Sequence, residues 1–148
     1  MRPQETIDYH IKLAWHAIAN LYNQLAAKHE LTQATGFVLL NIDDKNGTAA
    51  TKIAPLMGMQ KTSLSRMLKN MENEGLICRK KDKLDGRQVN ICLTEKGREK
   101  KKVAKKVVKQ FNEHILLNIE QDKLDCFYEV MQNVFNLTED YRNKNIKA

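Results

Sequence analysis

Residues 61–97 read KTSLSRMLKNMENEGLICRKKDKLDGRQVNICLTEKG, and this stretch decides the fold. Its first part has helical spacing. Leu64, Met67, Leu68 and Met71 share one face, while Thr62, Ser65, Arg66 and Lys69 share the opposite one, with Lys61 and Ser63 at the N-terminal end. Gly75 terminates the helix. Two β-favouring segments follow, residues 76–80 and 89–93, joined by polar residues whose turn signal is Asp85-Gly86. Val89, Ile91 and Leu93 alternate with Asn90 and Cys92, as a half-buried strand requires. Thr94 then caps another helix, with Glu95 in the first turn where the helix dipole favours a carboxylate.

Upstream, Ile7, Ile11, Trp15, Ile18, Tyr22 and Leu25 recur at spacings of three and four, which predicts a long first helix. Leu13, Ala14, Ala17 and Leu21 widen the stripe, so this helix needs burial on more than one side. Thr32 reads as the N-cap of a second helix that stops at the turn formers 43–47, and a third short helix covers residues 49–57 before Gly58. Pro55 lies inside it and predicts a kink or an early end. Downstream, Val103, Val107, Phe111, Ile115 and Ile119 stripe the fifth helix, and Leu124, Phe127, Met131, Val134 and Phe135 a sixth.

The fold class expected is mainly α: a winged helix-turn-helix head with a small β-hairpin wing, plus long N- and C-terminal helices. Those long helices are more apolar than so small a head can cover, so a dimerisation stem shared by two copies is the simplest way to bury them. The helical dimerisation region is placed at 1–30 and 110–148, and the DNA-binding head at 31–109, as one interleaved unit.

Charge follows the same division. Residues 61–109 hold 16 Lys/Arg against 6 Asp/Glu, and the rest of the 148 residues hold 9 against 12, so the net +7 is a basic element on a slightly acidic body. Such asymmetry points to a polyanion. The outer face of the helix over 61–74 carries hydrogen-bonding groups and no acid before Glu72. In a B-DNA major groove Arg66 can read guanine bidentately, and serines and threonines can reach bases or phosphates. The basic ribbon carrying Arg79, Lys80, Lys81, Lys83 and Arg87 can enter the adjacent minor groove, with Asp85 orienting an arginine. The cluster Lys100, Lys101, Lys102, Lys105, Lys106 and Lys109 points around its helix and reads mostly as a solvated face. A competing class is a helical protein–protein interaction module whose basic head binds an acidic partner.

With these elements in order, the chain resembles the MarR family of bacterial transcriptional regulators over nearly its whole length. The matching residues are Ile53-Ala54, Leu56-Met57-Gly58-Met59, Ser63-Leu64-Ser65-Arg66, Glu74-Gly75-Leu76-Ile77, Asp85, Arg87 and Leu93-Thr94-Glu95-Lys96-Gly97. Gln60, where a capping Ser or Thr is common, and Pro55 depart from the pattern. The resemblance implies a homodimer on a pseudo-palindromic operator in double-stranded DNA, with Arg87 at the wing tip in the minor groove, and a brief strand near Gly47 and Thr48. The DNA-binding residues expected are Lys61, Thr62, Ser63, Ser65, Arg66, Lys69, Lys83, Asp85 and Arg87. It also implies a repressor released by a small aromatic or anionic effector in a crevice between stem and head, for which Trp15, His16, Tyr9, His10 and Tyr22 offer aromatic surface and protonatable imidazoles.

No cofactor or metal is expected. His10, His16, His29 and His114 make no close i, i+4 pair, and Cys78, Cys92 and Cys126 have no CxxC spacing. Reduced, inert thiols are expected, although Cys78 and Cys92 sit symmetrically about Asp85 and would approach one another across the hairpin. There is no GxSxG, HExxH, P-loop or dinucleotide motif, so an enzyme is not expected. Without a signal peptide or a spanning segment, a cytoplasmic location is the default and no membrane partner is expected.

Overall fold

A computed structural model describes residues 2–81 and 88–146. The chain divides into two compact units, Met1–Val108 and Lys109–Ala148. In the first, α1 (Ile7–Ala27) starts at Thr6, whose hydroxyl accepts the Tyr9 N–H at 3.4 Å. The next helix, α2 (Gln33–Leu40), is capped by Thr32 on the Thr35 N–H at 3.1 Å. In the turn after it, the Asp43 carboxylate accepts the Asn46 N–H at 2.7 Å and the Lys45 N–H at 3.1 Å; these bonds hold its pKa below the usual carboxylate range. Strand β1 (Thr48–Ala49) is the brief strand expected near Gly47.

Helix α3 (Ala50–Leu56) runs through Pro55 and ends ahead of Gly58, which sits at φ +59°. Helix α4 (Lys61–Asn73) begins at Gln60, which makes no side-chain capping bond. Gly75 follows at φ +70°, a conformation that favours glycine and turns the chain into β2 (Ile77–Lys81). Strand β3 (Val89–Leu93) pairs antiparallel with both β1 and β2, giving the order β1-β3-β2. Its register sets Ile77 opposite Leu93, Cys78 opposite Cys92 and Arg79 opposite Ile91.

One core holds these elements. Val38 and Leu39 of α2, Ile53 of α3, Leu64, Leu68 and Met71 of α4, and Ile77, Ile91 and Leu93 of the sheet are all buried together. Each such side chain contributes about 1.5–3 kcal/mol of apolar burial, so the inner face of α4 is fixed and its outer face is left to solvent. The Leu-Thr-Glu-Lys-Gly run (residues 93–97) has a mechanical reading. Thr94 donates its hydroxyl to the Gly75 carbonyl at 2.6 Å, with the Leu76 carbonyl at 3.1 Å, and accepts the Gly97 N–H at 3.0 Å. A Cβ at Gly97 would lie only 1.9 Å from the Leu76 carbonyl oxygen. The start of α5 (Glu95–Asn118) is thus pressed onto the entry to β2.

Two lysines of the α5 cluster are structural and depart from the solvated-face reading. Lys100 Nζ donates to the His29 carbonyl at 2.5 Å and Lys101 Nζ to the Ile42 carbonyl at 2.6 Å, closing the ends of α1 and α2. Glu30 and Asp44 complete each site at 3.3 and 3.1 Å. Lys102, Lys105 and Lys106 are exposed, as a solvated face requires.

The second unit contains the end of α5 and α6 (Gln121–Asn145). Among its described residues only Leu124 is buried, while Leu117, Phe127, Phe135 and Leu137 are more than half exposed. In the first unit, Ile7, Leu13 and Trp15 of α1 are also exposed in the single protomer. Among the described residues no helix is long and apolar enough to cross a membrane.

Candidate nucleic-acid interface

Helix α4 divides its residues as its sequence period demands. Leu64, Leu68 and Met71 go inward, and Lys61, Thr62, Ser63, Ser65, Arg66 and Lys69 are all exposed. Six of the nine expected DNA contacts therefore lie on the open surface of one helix. Lys83, Asp85 and Arg87 fall outside the described residues. At the α4 N-terminus the absence of a side-chain cap from Gln60 leaves first-turn N–H groups without that partner. Such a terminus suits a phosphate.

Glu72 is the first acid on the helix, and it is engaged. Arg79 of β2 donates to its carboxylate at 3.2 Å, both side chains being about 40% exposed. Surface pairs of this kind contribute at most about 1 kcal/mol, so the consequence is electrostatic: the acid is screened and one wing cation is committed to α4. In the sequence Arg79 is one of five cations of the ribbon, and an acid seven residues away across a helix–strand junction gives no periodic signal.

A groove beside the outer face brings in residues that were not anticipated. Thr32 and Thr35, at the start of α2, line it together with Ser63, Arg66 and Asn70 of α4 and with Glu74. Asn70 stands one helical turn beyond Arg66, so its place on this face was available from the 3.6-residue period.

The five residues expected to hold an effector separate. Tyr22 is buried and lines an apolar cleft with Phe37 and Leu40 of α2 and Val103, Ala104 and Val107 of α5. Trp15 and Tyr22 each lie 6.1 Å from Phe37, ring centre to ring centre, so Trp15 flanks the cleft. Tyr9 and His10 stack on each other edge-on at 5.6 Å, and His10 Nε2 is 2.9 Å from the Gln4 carbonyl oxygen. His16 is exposed and does not line the cleft. The cleft leaves only about 30 Å³ free, room for about a water molecule. Among the described residues no group of three His, Cys, Asp or Glu is placed to hold a metal ion.

Residues 31–89 match the model of the MarR family. Similar curated proteins include the HTH-type transcriptional regulator TtmR of Methylorubrum extorquens, 38% identical over 85 residues. That match covers 57% of this chain and 44% of the relative, so the chain spans less than half the length of that protein. The transcriptional regulator HosA of Escherichia coli is 27% identical over 83% of this chain and 95% of its own. Among solved structures, the transcriptional repressor CouR bound to a 23-mer DNA duplex superposes with a TM-score of 0.74, at 27% identity, over 88% of this chain and 93% of that one. These relatives are regulators of transcription, not enzymes.

Proposed function

We propose that the chain, whose residues 31–89 match the MarR family model, is a sequence-specific DNA-binding regulator of that family, a homodimeric cytoplasmic repressor released by a small-molecule effector. One observation carries the DNA reading. The outer face of α4 offers Thr62, Ser65, Arg66 and Lys69 to solvent, and its first acid, Glu72, is already paired to Arg79. In this reading α4 enters the major groove, with Arg66 bidentate to a guanine, Lys61 and Ser63 on phosphates at the helix start, and Lys69 following the backbone. Lys83 and Arg87 reach the neighbouring minor groove from the wing, positioned by Asp85.

Dimerisation is supported in each unit by apolar surface that a lone protomer leaves wet. Leu117, Phe127, Phe135 and Leu137 in the second unit and Ile7, Leu13 and Trp15 in the first are too many for an isolated chain in water. A second copy would cover them and set two α4 helices about 34–36 Å apart, one turn of DNA. Residues 1–30 and 110–148 would supply the stem, and 31–109 the head.

The effector reading moves from the initial candidates to the Tyr22–Phe37 cleft. Because so little free volume exists there, an aromatic ligand is admitted only by separating α2 from α5, and that differential affinity for an opened form couples binding to head position. Tyr22 and Trp15 would contact the ligand, with Tyr9, His10 and His16 only at the margin.

Footprinting on duplex DNA from the region upstream of its own reading frame tests the proposal. Two protected half-sites centred about one turn apart are expected, both needing several-fold more protein in Arg66→Ala. Binding that depends on salt but protects no sequence would instead support the acidic-partner module.

A further inference from the structure

We propose that Cys78 and Cys92 form a thiol oxidation site on the outer face of the sheet, closing to an intramolecular disulfide under a hydroperoxide and thereby re-aiming the wing. The site rests on register alone. Cys78 stands directly opposite Cys92 in the β2–β3 ladder, and directly opposed residues of an antiparallel pair point to the same face. Ile77, Ile91 and Leu93 occupy the inner face and are buried, so the two thiols share the outer one, each half-buried and free.

The spacing is set by the ladder. Thr94 N–H donates to the Leu76 carbonyl at 3.2 Å, which makes 76–94 a hydrogen-bonded pair and, by alternation, 78–92 another. Such pairs hold their Cα atoms about 5.5 Å apart, in the middle of the range a disulfide spans. At that Cα spacing a disulfide can close with a local adjustment of the two strands.

The two cysteines are not equivalent. Cys78 lies on β2, an edge strand, whereas Cys92 lies on the central strand β3. On its other flank Cys92 meets Gly47, where a Cβ would come within 2.6 Å of the Cys92 sulfur. Gly47, at φ +72°, thus leaves the space in which the reduced Cys92 thiol rests. A turn about χ1 swings that sulfur from Gly47 toward Cys78.

In the reaction, the Cys78 thiolate attacks the outer oxygen of the hydroperoxide. The O–O bond breaks, the sulfur becomes a sulfenic acid, and the alcohol leaves after taking a proton. The Cys92 thiolate then attacks the Cys78 sulfur, forming the S–S bond and expelling hydroxide, which is protonated to water. In sum, two thiols and one hydroperoxide give one disulfide, one alcohol and one water, with two electrons passing from sulfur to peroxide oxygen. The link draws the Cβ atoms of the pair to about 3.8 Å. It is made at the root of the ribbon that carries Lys83 and Arg87 and so changes the ribbon's twist.

The chemical part is independent of the DNA-binding proposal; the consequence for the wing rests on it. The test treats reduced full-length protein with stoichiometric cumene hydroperoxide, then measures free thiols, intact mass and peptide linkage. Free thiols falling from three to one, a mass loss of two hydrogens and a 78–92 linked peptide are expected, unchanged in position in Cys126→Ser and absent in Cys78→Ser and Cys92→Ser. Links to Cys126, links between chains, or unreacted Cys78 and Cys92 overturn the site. The linked protein should bind its duplex several-fold more weakly than the reduced form, with recovery in dithiothreitol and no response in Cys92→Ser. Equal affinity of the linked and reduced forms overturns the switch. Reduced protein that reads no duplex at all overturns the DNA proposal and leaves the linkage result standing.

Discussion

Gly97→Ala separates packing from helix propensity because the two predict opposite signs. In the interior of an ordinary helix the change stabilises by about 1 kcal/mol. Here the new Cβ would sit 1.9 Å from the Leu76 carbonyl oxygen and 3.0 Å from its carbon, whereas real Cβ contacts essentially never fall under 3.0 Å. The first turn of α5 must therefore back away by roughly 1 Å, an overpacking that costs about 2 kcal/mol. That displacement also lengthens the Thr94 bonds to Gly75 and Gly97, now 2.6 and 3.0 Å, at about 1 kcal/mol more. After subtracting the propensity gain, the net loss is about 2 kcal/mol, or a fall in Tm of roughly 4–8 °C for a chain of this length. Urea unfolding of both proteins at one protomer concentration measures it, since dimerisation ties stability to concentration. Unchanged or increased stability in Gly97→Ala would refute the close approach of α5 to β2.

Lys101→Met keeps the aliphatic stem but removes the ammonium from the Ile42 carbonyl and Asp44, and should lower unfolding stability by about 1–2 kcal/mol; Lys102→Met, on an exposed side chain, should change it by less than about 0.5 kcal/mol. Asp43 has a depressed pKa from its bonds to Asn46 and Lys45, so its contribution is present above the unfolded carboxylate pKa, near about 4, and is lost as pH falls through the lower folded value. Asp43→Asn should flatten the acid limb of a stability–pH profile below about pH 4, visible by circular dichroism. Arg66→Ala should cost about 1–3 kcal/mol of operator affinity and relax base preference at one position per half-site, whereas Lys69→Ala should weaken all duplexes alike and reduce the salt slope by about 1, both by fluorescence anisotropy.

Local chemistry made most of the head legible. Thr32, Thr94, Gly58 and Gly75 set helix ends that the structure reproduces to within a residue or two, because caps and left-handed turns act over one helical turn. The alternation of Ile91 and Leu93 with Cys92 set the inner and outer faces of the sheet, although Val89 at the strand end is exposed, and the symmetry of Cys78 and Cys92 about Asp85 anticipated their pairing. Long-range polar contacts were not legible. Lys100 and Lys101 look like any solvated lysines until the α1 and α2 ends arrive beside them, 71 and 59 residues earlier in the chain. The pairing of Arg79 with Glu72 was equally silent. The apolar cleft escaped for a different reason: Val103 and Val107 belong to an ordinary apolar helix stripe, and only tertiary packing leaves a gap between them and Phe37. The long outer stripes of α1 and α6 were read as demanding burial, and in a lone protomer they do not receive it.

The central claim is that the outer face of α4 reads base sequence in duplex DNA as one half of a two-fold pair. Selecting bound duplexes from a random pool with the wild-type protein and with Arg66→Ala addresses it most directly. The wild type should enrich an inverted repeat whose half-sites are about 10 base pairs apart centre to centre, and Arg66→Ala should lose one specified base pair from each half. A pool that stays random, or an identical repeat enriched by both proteins, would contradict it.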